Sequence, residues 1–231
     1  MPVIVATGRM FRSVSPYLRQ AGIEEPAICY QGALVADPVG GRFLLHRPIA
    51  LELALEAIAA LEAAGHSPNV YVDDELYVRE HTEASRRYAD FQGLTVRAVG
   101  DLLAWLDRPP TKLVAVLDPA GVPALRAGLE ARFDSRLYLT TSLPYFLELG
   151  DPHVSKGTGL AFVAELLGLD LRRVVAFGDG ENDVDLLVAA GFGVAVEDAH
   201  PALLAVADWT CAGPEREGVA AVIETVLDSL E

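Results

Sequence analysis

Short apolar runs separated by polar turns recur along the chain, and their period switches repeatedly between two and about 3.6. Val3-Ile4-Val5-Ala6 is a β-branched run that stops at Thr7-Gly8-Arg9. The pattern predicts a helix over residues 13–20, closed by Gly22, and a short strand at 27–30. Residues 34–36 and 43–45, on either side of Asp37-Pro38-Val39-Gly40-Gly41, read as a hairpin with a turn-rich tip. From Pro48 the texture changes. A helix is expected over 51–64, paired strands at 69–72 and 76–78, and helices at 84–91 and 100–106. A buried strand at 112–117, a helix at 122–133 and a strand at 136–141 follow.

The last third returns to the first pattern. A strand at 145–149 leads through Ser155-Lys156-Gly157-Thr158-Gly159 into a helix over 160–167. Val174-Val175-Ala176-Phe177 then reads as a buried strand running into Gly178 and a dense polar cluster of Asp179, Glu181, Asn182 and Asp183, with a helical pattern after it. A strand at 193–196, a helix at 200–207, a strand at 208–211 and a closing helix at 219–230 complete the chain. Alternating strands and helices of this kind predict the α/β class. The change of texture predicts a discontinuous core, 1–47 with 145–231, interrupted by an inserted α+β unit at 48–144.

Composition narrows the function. The 231 residues are 52% hydrophobic and 22% charged, as in a folded globular protein. The net charge of −15 argues against nucleic acid, which needs a basic surface, but allows a small phosphorylated ligand neutralised locally. No apolar run is long enough for a membrane span, and no signal-peptide pattern opens the chain. Two cysteines without a CxxC pair fit a reducing cytoplasm. The expected setting is cytoplasmic, as a monomer or homodimer, without a membrane or nucleic-acid partner.

Polar residues follow apolar strands at three places: Thr7, Lys156 after a short loop, and Asp179. Parallel strands present their carboxyl ends at one sheet edge, so a hydroxyl, an ammonium and carboxylates are expected there together. That set suits a phosphoryl group and Mg2+, which takes one or two carboxylates, waters and a phosphate. Each residue also has an ordinary reading. Thr7 serves equally well as a helix cap, Lys156 as a solvated lysine, and the carboxylates as caps of the next helix. A calcium EF-hand is excluded, since Val184 stands where its loop needs glycine and Ala190 where it needs glutamate. No GxGxxG follows a strand.

In this order and spacing the segments resemble the Cof-type (subclass IIB) phosphatases of the haloacid dehalogenase-like hydrolase superfamily. The matching pieces are Val3 to Arg9, Gln31-Gly32-Ala33, Val154 to Leu160, Gly178 to Asp183, Ala199-His200-Pro201 and Glu217-Gly218-Val219. The resemblance implies a Rossmann-like core with an inserted α+β cap that selects the leaving group. It implies magnesium-dependent hydrolysis of a phosphate monoester, with a small phosphorylated metabolite such as a sugar phosphate as substrate. By the same resemblance Lys156 and Asp183 would take catalytic roles, Thr7, Gly8, Arg9, Lys156 and Asn182 would bind phosphate, and Asp179 and Asp183 would serve the metal. Asp73 and Asp74 are expected to form a hairpin turn.

The family's nucleophile is an aspartate in a DxDGT motif ahead of the Thr7 segment, and it is not among these residues. The first aspartate is Asp37, and the only DxD, Asp183 to Asp185, follows Gly178. Gln31 and Glu197-Asp198 depart from the residues usual in relatives. The expectation is a shortened form of an active phosphatase that turns over little by itself. The alternatives are a non-catalytic phosphate- or metal-binding or interaction protein on that fold, or a phosphomutase.

Overall fold

The computed structural model describes residues 1–228, with backbone alone at 84, 91 and 92. It divides into two compact units, Met1–Val154 and a second that begins at Ser155. The first unit opens with helix α1 (Phe11–Ala21), ended by Gly22 in the left-handed conformation at φ 67°. Strands β1 (Ala27–Cys29), β2 (Leu34–Ala36) and β3 (Phe43–His46) form an antiparallel sheet. The run Val3 to Ala6 makes only an isolated bridge, Ala6 to Ile28, and no strand. Its β-branched residues favour extended backbone, but a ladder needs a neighbour along its whole length.

Helix α2 (Leu51–Ala63), strands β4 (Asn69–Val72) and β5 (Glu75–Val78), helix α3 (Glu83–Gln92) and strand β6 (Val96–Ala98) follow. Then come α4 (Leu102–Trp105), β7 (Lys112–Val116), α5 (Val122–Phe133), β8 (Tyr138–Thr141) and β9 (Phe146–Gly150). The strands build one six-stranded sheet in the order β6-β5-β4-β7-β9-β8, antiparallel except for β5 with β6. The sequence pattern does not predict β6, because only Val96 is part-buried while Arg97 and Ala98 are exposed, which leaves no apolar alternation. β9 lies between β7 and β8, so the sheet runs to Gly150, beyond the boundary expected at 145.

Alternation along the strands sends successive side chains to opposite faces. Val70, Val72, Leu113, Ala115, Leu147 and Leu149 pack on one face with Ile58 and Leu61 of α2 and Phe133 of α5. Tyr71, Leu76, Val114 and Phe146 point the other way, into a second core with Phe11, Leu18, Tyr30 and Tyr88. Lys112 and Glu148 share the register of this second face.

The second unit holds α6 (Lys156–Leu167), β10 (Val175–Gly178), α7 (Val184–Ala189), β11 (Phe192–Val196), α8 (Pro201–Leu204), β12 (Trp209–Cys211) and α9 (Gly218–Asp228). Its three strands are parallel, in the order β10-β11-β12. α8 is shorter than expected because the Asp208 N–H already pairs with Gly193 O as the chain enters β12. The predicted helix positions 229–230 lie outside the described residues. No helix among the described residues is long and apolar enough to cross a membrane.

Candidate active site

Lys156 is the first residue of α6, not part of a turn ahead of it. Ser155 accepts from the Thr158 N–H, and the Thr158 hydroxyl in turn accepts from the Ser155 N–H, so the helix starts four residues before its apolar pattern does. Gly157 allows the helix start to sit against α7: a Cβ there would lie 2.2 Å from Asp185 O. A cation in a first turn faces the positive end of the helix dipole and is disfavoured. Lys156 is nonetheless buried, because its Nζ lies 2.5 Å from Asp183 Oδ1.

Asp183 is 4% exposed and saturated with donors. Its Oδ1 takes the Lys156 ammonium, and its Oδ2 accepts the N–H groups of Asp179 and Gly180, each at 3.0 Å. The carboxylate thereby closes the loop after β10 on itself. Gly178 is needed for this closure, since a Cβ there would meet Asp183 Cβ at 2.5 Å. Asn182 lies against Gly180, its Oδ1 2.3 Å from where a Cβ would be.

Asp179 is placed differently. Its backbone carbonyl accepts the His200 N–H at 2.8 Å. Burial pushes its carboxyl above the ordinary carboxylate range, and neighbouring Asp183 adds to the rise, while Lys156 offsets part of it. Asp179 is exposed to solvent, and a carboxylate raised by desolvation and by a second carboxylate is a place where a cation lowers the free energy. Among the described residues no three His, Cys, Asp or Glu side chains cluster for a metal. One or two carboxylates with water and phosphate completing the shell is the habit of magnesium, not of zinc or calcium, so the donor set fits that ion.

Thr7, Gly8 and Arg9 belong to the first unit. The Thr7 N–H donates to Ile28 O at 2.8 Å, and the Arg9 N–H donates to Thr7 Oγ1 at 3.1 Å. The Arg9 guanidinium reaches Ser13 Oγ of α1 at 3.4 Å. Gln31 is buried with φ 60°, and Glu197 pairs with Arg216 while accepting the Gly213 N–H. Cys29 and Cys211 are free and buried.

Three charged residues of the first unit have roles that pattern reading missed. Asp73 and Asp74 do form the expected turn, both with positive φ, but Asp74 also buries its carboxylate on the start of α1. It accepts the N–H groups of Phe11 and Arg12 at 3.0 and 2.8 Å and the Tyr30 hydroxyl at 2.8 Å. Burial raises its pKa, and these hydrogen bonds oppose the rise. Lys112 and Glu148 form a buried ion pair at 3.0 Å inside the six-stranded sheet. Their signal was present in the sequence as charges within apolar strand patterns.

Comparison with known proteins is consistent along the chain. The family of haloacid dehalogenase-like hydrolases matches residues 1–223. The phosphoglycolate phosphatase of Archaeoglobus fulgidus is 43% identical over 97% of this chain and 82% of its own length. The 5-amino-6-(5-phospho-D-ribitylamino)uracil phosphatase YitU of Bacillus subtilis is 29% identical over 94% of this chain and 82% of its own. A solved haloacid dehalogenase-like hydrolase from B. subtilis superposes with a TM-score of 0.84 at 24% identity, covering 97% of this chain and 87% of that one, which shows the shared fold. The chain belongs to the haloacid dehalogenase-like hydrolases, in their Cof-type phosphatase branch, with an α/β Rossmann-like core and an inserted α+β cap.

Proposed function

We propose that the chain carries the metal- and phosphate-binding residues of a magnesium-dependent phosphate-monoester hydrolase acting on a small phosphorylated metabolite. The observation that carries this reading is the buried Lys156–Asp183 pair beside Asp179 at the end of β10. Asp179 is the direct metal ligand, and Asp183, whose oxygens already hold Lys156 and two N–H groups, orients the lysine and the metal's water. Magnesium, when bound, supplies positive charge against the transferring phosphoryl group. Lys156 neutralises a phosphoryl oxygen, while Thr7, the Gly8–Arg9 backbone and Asn182 bind the phosphoryl group by hydrogen bonds. Residues 48–144, read as the cap, select the leaving group. The named relatives act on different phosphate esters, so the substrate is proposed as a class, sugar phosphates included.

In this reading none of the 231 residues serves as the attacking carboxylate. Asp37 caps the Val39 and Gly40 N–H groups of an exposed turn, and Asp74 is committed to α1. Among the described residues β10 pairs with β11 alone, so its other edge carries no paired strand. Without a nucleophile covalent phosphoryl transfer does not start.

Hydrolysis of p-nitrophenyl phosphate with magnesium tests both parts. The 231-residue chain is expected to release little product. The same chain with a DxDGT strand fused ahead of Met1 is expected to turn over and to lose activity on Asp179→Ala. Robust turnover by the 231 residues alone would overturn the lack of a nucleophile among them, and an inert fusion would overturn the phosphatase reading.

A further inference from the structure

We propose that Lys112 is a positioning residue that fixes the Thr7 hydroxyl through a single peptide plane, with Glu148 holding the lysine in place. This rests on the reading of Thr7 as a phosphoryl contact. Register accounts for the pair: Lys112 faces Tyr71 across β4 and β7, and Glu148 faces Val114 across β7 and β9. Lys112 and Glu148 are therefore diagonal neighbours on one face of the sheet.

Both are about 5% exposed, and both are fully engaged. Lys112 Nζ donates to Glu148 Oε2 at 3.0 Å and to Gly8 O at 2.9 Å, and it lies 5.1 and 5.7 Å from the ring centres of Tyr71 and Tyr30. Glu148 also accepts from Gln31 Nε2 at 3.3 Å and from the Ser142 hydroxyl. A buried ion pair of this kind is a weak source of stability, and apolar residues of similar volume pack as well or better. Its place on a face otherwise packed with Tyr71, Val114 and Phe146 points to what it holds.

What it holds is the loop. The carbonyls of Thr7, Gly8 and Arg9 are each taken by a donor: Gln31 N–H, Lys112 Nζ and Tyr30 N–H respectively. The Gly8 carbonyl and the Arg9 N–H belong to one planar peptide and point in opposite directions. Lys112 drawing the carbonyl one way turns the Arg9 N–H toward Thr7 Oγ1. The hydroxyl accepts there, so its oxygen is fixed and its own proton is directed elsewhere, where an anion can receive it. Gly8 has no room for a side chain, since a Cβ would lie 2.4 Å from Gln31 Nε2, so the loop is packed from the same side that pulls it.

Amide hydrogen exchange at Arg9, followed by NMR on the 231-residue chain, tests the positioning without reference to catalysis. Lys112→Met is expected to speed Arg9 exchange about tenfold, the scale of one lost hydrogen bond, and to leave Ala57 in α2 unchanged. Thr7→Val, which removes the acceptor, should do the same. Unchanged Arg9 exchange in folded Lys112→Met overturns the proposal. Should that variant not fold, Glu148→Gln replaces it, with faster Arg9 exchange expected and no change again overturning it. Titration with inorganic phosphate and magnesium separates the two readings. Thr7→Val and Lys112→Met are each expected to weaken binding about tenfold, and the double variant by no more than about twofold beyond Thr7→Val. If Thr7→Val leaves phosphate affinity intact while Arg9 still responds to Lys112→Met, the phosphoryl reading of Thr7 falls and the positioning stands.

Discussion

Removing Asp183 should cost far more than removing the lysine it holds. Asp183→Ala leaves the Lys156 ammonium buried without a counter-charge and orphans the N–H groups of Asp179 and Gly180. Side-chain exposures of 8% and 5% put this pair outside the regime where solvent screening makes ion pairs worth little. Breaking a buried pair from one side costs about 3–5 kcal/mol, and each stranded donor adds roughly 1 kcal/mol where water partly reaches it. A loss of about 5 kcal/mol or more follows. Lys156→Met instead leaves Asp183 with its two backbone donors, which continue to stabilise the carboxylate, and the methionine fills most of the vacated stem. Its cost should be about 2 kcal/mol. Urea unfolding at pH 7, followed by far-ultraviolet circular dichroism, reads the difference. With a slope near 2–3 kcal/mol per molar urea, the two midpoints should differ by roughly 1 M. Equal losses, or a larger loss for Lys156→Met, would refute the view that Asp183 organises this loop.

Other consequences follow from single residues. Gly178→Ala places a methyl 2.5 Å from Asp183 Cβ, so it should destabilise by about 2 kcal/mol in the same urea assay and weaken magnesium binding; a neutral variant contradicts the close approach. Asp74 titrates above its ordinary value of 3.8 in the folded protein. Its folded state binds the proton more tightly, so this contribution to stability is present below the unfolded pKa and lost as pH rises through the folded one. Wild type should therefore lose stability relative to Asp74→Asn as pH rises from about 4, and a flat or reversed difference in unfolding midpoints contradicts the burial argument. Lys156→Met in the DxDGT-extended chain should lower kcat about 100- to 1000-fold, as loss of a pre-set charge at the phosphoryl group requires; a change confined to KM contradicts that role.

The polar cluster after β10 was readable because carboxylates so rarely crowd behind an apolar strand, and Asp179, Asn182 and Asp183 lie on that one loop. The place of Lys156 was not. Gly157 and Gly159 depress helix propensity locally, yet the Ser155–Thr158 reciprocal cap starts the helix ahead of them. Val3 to Ala6 shows the opposite error, because strand propensity does not supply a partner strand. The turn at Asp73-Asp74 was visible from neighbouring residues, but its capping of α1 links positions more than sixty residues apart and leaves no periodic trace. The loop at Thr7 to Arg9 was marked by the apolar run that stops there, but that Lys112 and Glu148 brace it was signalled only by two charges in otherwise apolar strands.

Magnesium titration of the 231-residue chain in the presence of inorganic phosphate tests the central claim most directly. Saturable binding that is lost in Asp179→Ala and weakened in Lys156→Met is the predicted result. No binding, or binding that both variants leave unchanged, would contradict the assignment of this loop as the metal and phosphoryl site.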